Sequence, residues 1–239
     1  MSTDRSSTGS TPRGARARAR VEVTAAIKEA ARRQLAEDGP AKLSLRAVAR
    51  ELDMVSSALY RYFPSRDDLL TALIIDAYDS LGAAAEAARD AATAAGEGPA
   101  RRWTAVCEAV RAWALAHPHE YALIYGSPVP GYTAPQDTVR AASRVGLALI
   151  GIAREAHRGR GLAVPKLVAE LEPEARRMAA DLAPDLPPAV VATLVAAWAQ
   201  LFGLVGFEVF GQFHRIVEER APFFRQAAAG LARTVGIEH

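Results

Sequence analysis

Residues 43–70 read LSLRAVARELDMVSSALYRYFPSRDDLL, and this stretch decides the fold. Ser44 is a good helix N-cap, and apolar residues follow it at helical spacing until Asp53 breaks the pattern. A second short helix is predicted over 56–63, and Pro64 stops it because proline disfavours helical geometry at the residue before it. Two short helices joined by a tight turn predict a helix-turn-helix, whose second helix can enter a DNA major groove.

The same stretch resembles the DNA-binding segment of TetR-like bacterial transcriptional regulators. The resemblance is carried by Leu-Ser-Leu-Arg at 43–46, Leu-Tyr-Arg-Tyr-Phe at 59–63, Arg66 with the leucines after it, and Gly39 upstream. The family usually has glycine where Asp53 stands. Aspartate tolerates left-handed backbone better than most residues, so we expect the turn to form.

Apolar residues recur at helical spacing along the rest of the chain, and no strand pattern is present. We therefore predict an all-α protein with an N-terminal three-helix helix-turn-helix domain and a larger helical domain. The resemblance implies that the larger domain binds an effector and dimerises. The predicted bounds are a disordered basic arm over 1–20, the DNA-binding domain over 21–66 and the effector-binding and dimerisation domain over 67–239.

Charge is distributed unevenly along the 239 residues. Residues 1–66 hold 13 basic and 7 acidic side chains, net +6, whereas the remainder holds 16 and 20, net −4. This asymmetry indicates that a polyanion is met at the N-terminal end. The single Cys107 suits a reducing compartment, and the first twenty residues contain no apolar block. We expect a cytoplasmic protein.

The N-terminal arm allows two interpretations. Arg13, Arg16, Arg18 and Arg20 are spaced by small residues, as in basic arms that follow phosphates or enter a minor groove. A solubilising tail would have the same composition.

One predicted helix is apolar nearly all round. No charged residue occurs from Leu186 to Phe207, a length that could span a membrane. Thr193, Gln200 and the prolines at its start favour a buried helix instead. With the final helix it could form a four-helix bundle about a two-fold axis. The resemblance implies the same, so we expect a homodimer through helices near 187–213 and 222–235, and no membrane.

The resemblance implies nine contacts to double-stranded DNA. They are Ser44 and Arg46 at the groove edge or phosphates, Ser56, Ser57 and Ala58 at base edges, Tyr60 and Tyr62 at phosphates, Arg61 at a base or phosphate, and Arg66 at the backbone. Arg61 alone offers a strong bidentate fit to guanine. Tyr60 or Tyr62 could instead be a structural ring, and Arg46 could simply face solvent.

Aromatic residues of the body predict an effector pocket, because ligand pockets are mostly apolar with a few polar groups. The candidates are Trp103, Trp113, His117, Tyr121, Tyr125, Tyr132 and Trp198. The segment from Trp113 to Tyr132 also resembles one C-terminal subgroup of TetR-like regulators. An ordinary aromatic core is the alternative for each residue.

Catalytic and metal motifs are weak. His117 and His119 flank a proline near Cys107, but no tight ligand cluster is completed, and proline between two histidines at a helix break is more often a turn. No phosphate loop or hydrolase signature occurs in the sequence. We therefore expect no enzyme, no cofactor and no metal.

The sequence as a whole predicts a dimeric, ligand-responsive regulator, more in the manner of a repressor than an activator, released from a palindromic operator by an unidentified small-molecule effector. Two alternatives stay open: a regulator controlled by a protein partner, and a helical enzyme or metal protein that contains a helix-turn-helix.

Overall fold

The structure is a computed structural model that describes residues 12–159 and 162–238. These residues form eleven α-helices and two 3₁₀ turns, without a strand. The all-α fold class is therefore confirmed for the part of the chain that is described. The chain divides into two compact units: Met1–Leu73 with Val129–Tyr132, and Ile74–Pro128 with Thr133–His239.

The first unit contains three helices and the start of a fourth. Its helices are α1 (Pro12–Asp38), α2 (Leu45–Glu51), α3 (Ser56–Leu59) and α4 (Arg66–Ala94), with a 3₁₀ turn at Pro40–Lys42. The core consists of apolar side chains at helical spacing, which shield one another from water. They include Ile27, Leu35, Leu45, Val48, Leu59 and Phe63, all buried.

Helix α1 begins earlier than the sequence predicts. Pro12–Arg20 are helical and continuous with the rest of α1, so the predicted disorder is wrong for these residues. Alternating arginine and alanine carry no periodic apolar face, but both residues are strong helix formers, and proline suits a first helical turn. The remainder of the predicted arm, 1–11, lies outside the described residues.

The second unit is a helical body. Its helices are the rest of α4, then α5 (Pro99–Ala116), α6 (Pro118–Tyr125), α7 (Thr138–Ala142), α8 (Arg144–Arg158), α9 (Glu172–Leu182), α10 (Pro188–Val209) and α11 (Arg220–Val235), with a 3₁₀ turn at Ala169–Leu171. The bounds predicted for α5 are confirmed, because Pro99 starts it and the His117-Pro118 pair ends it.

The helix expected to follow Asp137 differs from the prediction. Asp137 makes no side-chain capping bond, and the segment is two helices, α7 and α8, separated at Ser143. Thr138 instead donates its hydroxyl to the carbonyl of Pro135 at 2.9 Å. The backbone N–H groups of Thr138 and Val139 donate to the carbonyls of Pro135 and Gln136 at 3.1 and 3.0 Å, so the preceding turn provides acceptors for the helix start without the aspartate.

Helix α10 has the length and composition of a membrane span, with a mean hydropathy of 2.0 in its most apolar window. One such helix is weak evidence, because the core helix of a globular domain passes the same test. Its buried side chains include Val190, Val191, Leu194, Leu201 and Val205, which pack in the core of the body. This packing supports the interpretation as a core helix.

Candidate DNA-binding surface and body pocket

Two serines begin the helices of the DNA-binding unit. The hydroxyl of Ser44 accepts a hydrogen bond from the backbone N–H of Ala47 at 3.4 Å, which caps α2. The hydroxyl of Ser65 accepts from the N–H of Asp68 at 3.1 Å and donates to its carboxylate at 2.7 Å. Each cap satisfies a backbone donor that the helix itself leaves without a partner. Both helix starts predicted from the sequence are confirmed.

Asp53 makes the turn between α2 and α3. Its φ is 51°, in the left-handed region. The N–H of Met54 donates to the carbonyl of Ala49 at 2.8 Å, and that of Asp53 donates to the carbonyl of Arg50 at 3.2 Å. This is a Schellman motif, which usually has glycine at the left-handed position. The turn therefore forms with aspartate, as the sequence predicts.

Helix α3 is short and presents polar side chains to solvent. Ser56, Ser57, Tyr60 and Arg61 are exposed, whereas Ala58 is half-buried. Turn hydrogen bonds extend the helical backbone past Leu59, with the N–H of Tyr62 donating to the carbonyl of Leu59 at 2.8 Å. The unit therefore presents hydroxyl and guanidinium groups from one short segment, as base-edge recognition requires.

Three arginines on this unit are available for a partner. Arg46, Arg50 and Arg61 are exposed, and none makes a side-chain hydrogen bond or ion pair with another described residue. Free guanidinium groups can neutralise phosphates or read guanine.

Two of the predicted contacts are engaged inside the unit. Arg66 donates through Nη2 to the carbonyl of Pro40 at 2.7 Å, which ties the 3₁₀ turn to the start of α4. The guanidinium carbon of Arg20 lies 5.1 Å from the ring centroid of Tyr62, a cation–π arrangement. Tyr62 is half-buried, whereas Tyr60 is 41% exposed. Of the two rings, Tyr60 is the one free to reach a phosphate.

In the body, the predicted pocket residues do not form one pocket. Trp103 is fully buried, and its Nε1 finds no partner among the described residues. Trp113 donates through Nε1 to the hydroxyl of Ser80 at 2.9 Å. Tyr132 belongs to the first unit, where its hydroxyl lies 2.9 Å from that of Thr71. Two of these residues are therefore core groups of the body and the third belongs to the first unit, so the structure does not bring the three together in one pocket.

Three other predicted residues belong to one aromatic row. Tyr125 stacks on Phe202 at 4.0 Å between centroids, with Tyr121 on one side at 5.3 Å from Tyr125 and Trp198 at 5.6 Å from Phe202. Tyr121 donates its hydroxyl to the carbonyl of Phe202 at 2.9 Å. Tyr121 and Tyr125 line an open aromatic groove, whereas Trp198 lines a separate recess.

His117 and Cys107 are occupied in ways that leave no ligand set. The ring of His117 stacks on Trp113 at 5.0 Å, and its Nδ1 lies 2.9 Å from the Trp113 carbonyl. Cys107 is fully buried, and burial raises the pKa of its thiol above the ordinary range. Within the described residues, no group of three His, Cys, Asp or Glu side chains could hold a metal ion.

The recess at Trp198 has a volume of about 270 Å³ and lies between α8, α9 and α10, with the end of α7 at one side. We name it the α8–α10 pocket. Leu149 and Val191 are buried at its floor, whereas Leu147 and Leu182 are exposed. Sequence reasoning identified only Trp198 among its lining residues, because the others have the composition of ordinary core and surface leucines and valines.

One wall of this pocket is tied to α4. Arg144 donates to both carboxylate oxygens of Glu86 at 2.9 and 2.6 Å, and to the carbonyl and carboxylate of Asp79 at 2.8 and 2.9 Å. A Cβ at Gly82 would lie 2.7 Å from the Cβ of Arg144, so glycine is what allows this close approach. Arg144 adjoins Ser143, which lines the pocket, and thus joins α8 to α4.

Two family models match the chain over both units. The model described as "Bacterial regulatory proteins, tetR family" matches residues 27–73. The model described as "Tetracyclin repressor-like, C-terminal domain" matches residues 103–231, more than half of the chain. The chain belongs to the TetR family of bacterial transcriptional regulators.

Individual relatives and solved structures are also similar to this chain. HTH-type transcriptional regulator Rv1816 of Mycobacterium tuberculosis is 41% identical over 210 residues, covering 84% of this chain and 86% of that protein. The solved structure described as "putative regulatory protein SCO4313" is 32% identical, covers 90% of this chain and 97% of its own, and has a TM-score of 0.73. RolR in complex with resorcinol shares the fold at a TM-score of 0.53 and 14% identity, with 92% and 95% covered.

For this TetR-family regulator, the DNA contacts predicted from the sequence omit one exposed candidate residue next to α3. Val55 precedes α3 and is 69% exposed, beside Ser56 and Ser57. An apolar side chain at this position can contact the methyl group of thymine. The signal was available in the sequence, because Val55 lies outside the helical spacing of the buried residues around it.

Proposed function

We propose that this TetR-family regulator is a dimeric repressor that binds a near-palindromic operator and is released by a small-molecule effector. The observation that carries the DNA-binding part is the set of exposed polar side chains on and after α3, with the free guanidinium group of Arg61 among them. Such a surface suits the major groove, where hydroxyl and guanidinium groups bond to base edges. DNA binding in a bacterium also implies a cytoplasmic location.

Dimerisation is supported by the outer faces of α10 and α11. Ala196, Ala199, Gly203 and Phe207 are exposed along one side of α10, at helical spacing. Phe223 at the start of α11 is 42% exposed. Exposed apolar and small residues in a row are typical of a protein interface, and two such helices from each copy can form a four-helix bundle. A two-fold axis would place the two recognition helices about 34–36 Å apart, one turn of duplex.

Release by an effector is supported by the α8–α10 pocket and by Arg144. The pocket gives the body a place for a small molecule, which favours effector control over control by a protein partner. RolR, which shares the fold, is seen with resorcinol bound. An effector that moves α8 would act on α4 through Arg144. It shifts the equilibrium between DNA-binding and released states only by its difference in affinity for the two.

The DNA-binding part is tested by selecting bound sequences from a random duplex pool with the full chain, then measuring Arg61→Ala. Loss of a bidentate contact to guanine should weaken operator binding by about 1–3 kcal/mol and leave binding to random DNA nearly unchanged. Arg176→Ala is the control, because Arg176 is an exposed arginine on α9 of the body. Equal losses on operator and random DNA would make Arg61 a phosphate contact. A pool without enrichment would contradict the proposed function.

A further inference from the structure

The α8–α10 pocket is a recess with a buried floor and an exposed rim. Leu149 and Val191 at the floor are 1% and 0% exposed, whereas Leu147 and Trp198 at the rim are 52% and 38% exposed. Helices α7 to α10 all contribute to its wall. The volume of about 270 Å³ lies just under the range of about 300–1,000 Å³ typical of small-molecule sites. A recess of this volume, with buried residues at its floor, suits a small molecule.

The lining of the pocket contains no charged side chain. Its polar side-chain groups are the hydroxyl of Ser143 and the indole of Trp198, and Ser143 already donates to the carbonyl of Arg140 at 2.9 Å. Glu208, the one buried charged residue among those described, is paired with Arg111, which donates to its carboxylate at 2.6 and 2.5 Å. A carboxylate or ammonium group entering the pocket would lose its hydration without gaining a counter-ion, which is costly.

We infer that the α8–α10 pocket is the effector site and that it takes an uncharged, largely hydrocarbon or aromatic small molecule. The effector role of this site rests on the proposed function, whereas the binding site and its ligand chemistry are inferred from the pocket alone. Apolar burial drives the binding, the indole of Trp198 packs against the ligand, and the Ser143 hydroxyl accepts at most a hydrogen bond from a ligand hydroxyl or amide.

Gly146 provides a way to fill the pocket without disturbing the fold. It lines the pocket on α8, and a Cβ placed on it meets no heavy atom within 4 Å. A leucine there extends into the open space that the ligand would occupy, and it favours the helix more than glycine does. Gly151 is a matched control, because it lies on the same helix, is equally open around its Cβ and does not line the pocket.

The binding test uses N-phenyl-1-naphthylamine, an uncharged probe whose fluorescence rises in apolar surroundings, titrated into the full chain. Gly146→Leu should weaken its binding by roughly tenfold or more, and Gly151→Leu should leave it within about twofold. The charged counterpart is 8-anilinonaphthalene-1-sulfonate, which adds a sulfonate to the same ring system. The part of its binding that takes place in the pocket is the part that Gly146→Leu abolishes. The affinity of this part should be roughly tenfold or more below the affinity of the neutral probe. Circular dichroism checks that both variants fold.

Three outcomes would overturn the inference, each at a different step. Equal binding of the neutral probe to Gly146→Leu and Gly151→Leu would show that the α8–α10 pocket is not its binding site. Equal Gly146-dependent binding of the sulfonate would remove the uncharged ligand class. Gly203→Arg places a charge on the exposed face of α10 and is designed to separate the two copies of a dimer. Probe binding that occurs only in this variant would make the recess part of an interface between copies.

The effector role is tested on the selected operator DNA. Saturating neutral probe should weaken operator binding by the wild-type chain and by Gly151→Leu, but not by Gly146→Leu, because its pocket is filled. An operator affinity that does not respond in the wild type would overturn the effector assignment. Absence of operator binding altogether would instead overturn the proposed function, and the fluorescence titration would still decide whether the site exists.

Discussion

Asp53 forms the turn between α2 and α3 of the DNA-binding unit in a strained backbone conformation. A side chain with a Cβ is strained at a φ of 51°, and the Schellman bonds from Asp53 and Met54 keep it there. Aspartate tolerates this backbone region better than most residues do, but less well than glycine. The structure therefore predicts that glycine is the better residue at this position and alanine the worse.

Asp53→Gly and Asp53→Ala isolate this backbone effect, since both remove the same charge. We expect the free energy of unfolding of Asp53→Ala to be lower than that of Asp53→Gly by about 1 kcal/mol, the scale of left-handed strain. Chemical denaturation followed by circular dichroism measures the difference. Equal stabilities would mean that the turn relaxes out of the left-handed region when the aspartate is replaced.

The helix caps and the turn within residues 43–70 were predictable because each depends on the local sequence. Ser44, Ser65 and Asp53 act on backbone within a few positions of themselves, so their spacing alone indicates their roles. Arg66 was less predictable. Its bond to the Pro40 carbonyl joins positions 26 residues apart, and no spacing rule indicates such a contact.

At the scale of the helix, Arg144 is the most connected side chain between α8 and α4. Four hydrogen bonds hold it against Asp79 and Glu86, and Gly82 gives it room. The hydrogen bonds from Arg144 hold the pKa of the Glu86 carboxyl below its usual range. Charged bonds of this kind contribute most where water is partly excluded, and Arg144 is 26% exposed.

Arg144→Met keeps the aliphatic stem and removes the charge. It should lower the free energy of unfolding at pH 7 by roughly 1–2 kcal/mol, after allowance for the exposure of the pair. Because the folded pKa of Glu86 is depressed, its stabilising effect is present above the unfolded pKa of about 4.3 and is lost as pH falls through the lower folded value. The difference between wild type and variant should therefore shrink below about pH 4.

Denaturation curves at several pH values measure this effect, with Arg176→Met as the control. Arg176 pairs with Glu172 on the exposed side of α9, and its side chain is 66% exposed, so its replacement should change stability little at any pH. A loss for Arg144→Met that persists undiminished at pH 3 would show that its packing, and not its charge, holds α8 to α4.

The helices differ in how well the sequence predicted them. The bounds of α5 follow from proline at its start and a His-Pro pair at its end, which act locally. The start of α1 was not predicted from the sequence, because a basic segment without an apolar face indicates disorder. Helix propensity and the Arg20–Tyr62 contact favour a helix there. The α8–α10 pocket could not be predicted, because its lining comes from separate segments of the sequence, residues 142–150, Leu182 and residues 191–198, which only the fold brings together.

For the whole molecule, the central expectation is a dimer. Helix α10 presents small residues to solvent on one side, and a Cβ on Gly203 meets no heavy atom within 4 Å. A large charged side chain can therefore be added there without disturbing the single chain. In a dimer about a two-fold axis it would meet its own copy, with two like charges in an apolar interface.

Gly203→Arg should yield a folded monomer that has lost most of its operator affinity, because one half-site alone provides half of the contacts. Analytical ultracentrifugation gives the oligomeric state, and a mobility-shift titration gives the affinity. Gly151→Arg adds the same charge on α8, also in open space, and should leave both unchanged. A Gly203→Arg protein that stays dimeric would move the interface away from this side of α10.

Cys107 has a consequence for chemistry in solution. It is the one cysteine of the chain, it lies on α5 in the body, and its side chain is fully buried. A thiol in this position cannot meet an oxidant or an alkylating reagent until the helices around it separate, and burial also disfavours its reactive thiolate. The rate at which a thiol reagent modifies Cys107 therefore reports how often the helices of the body open.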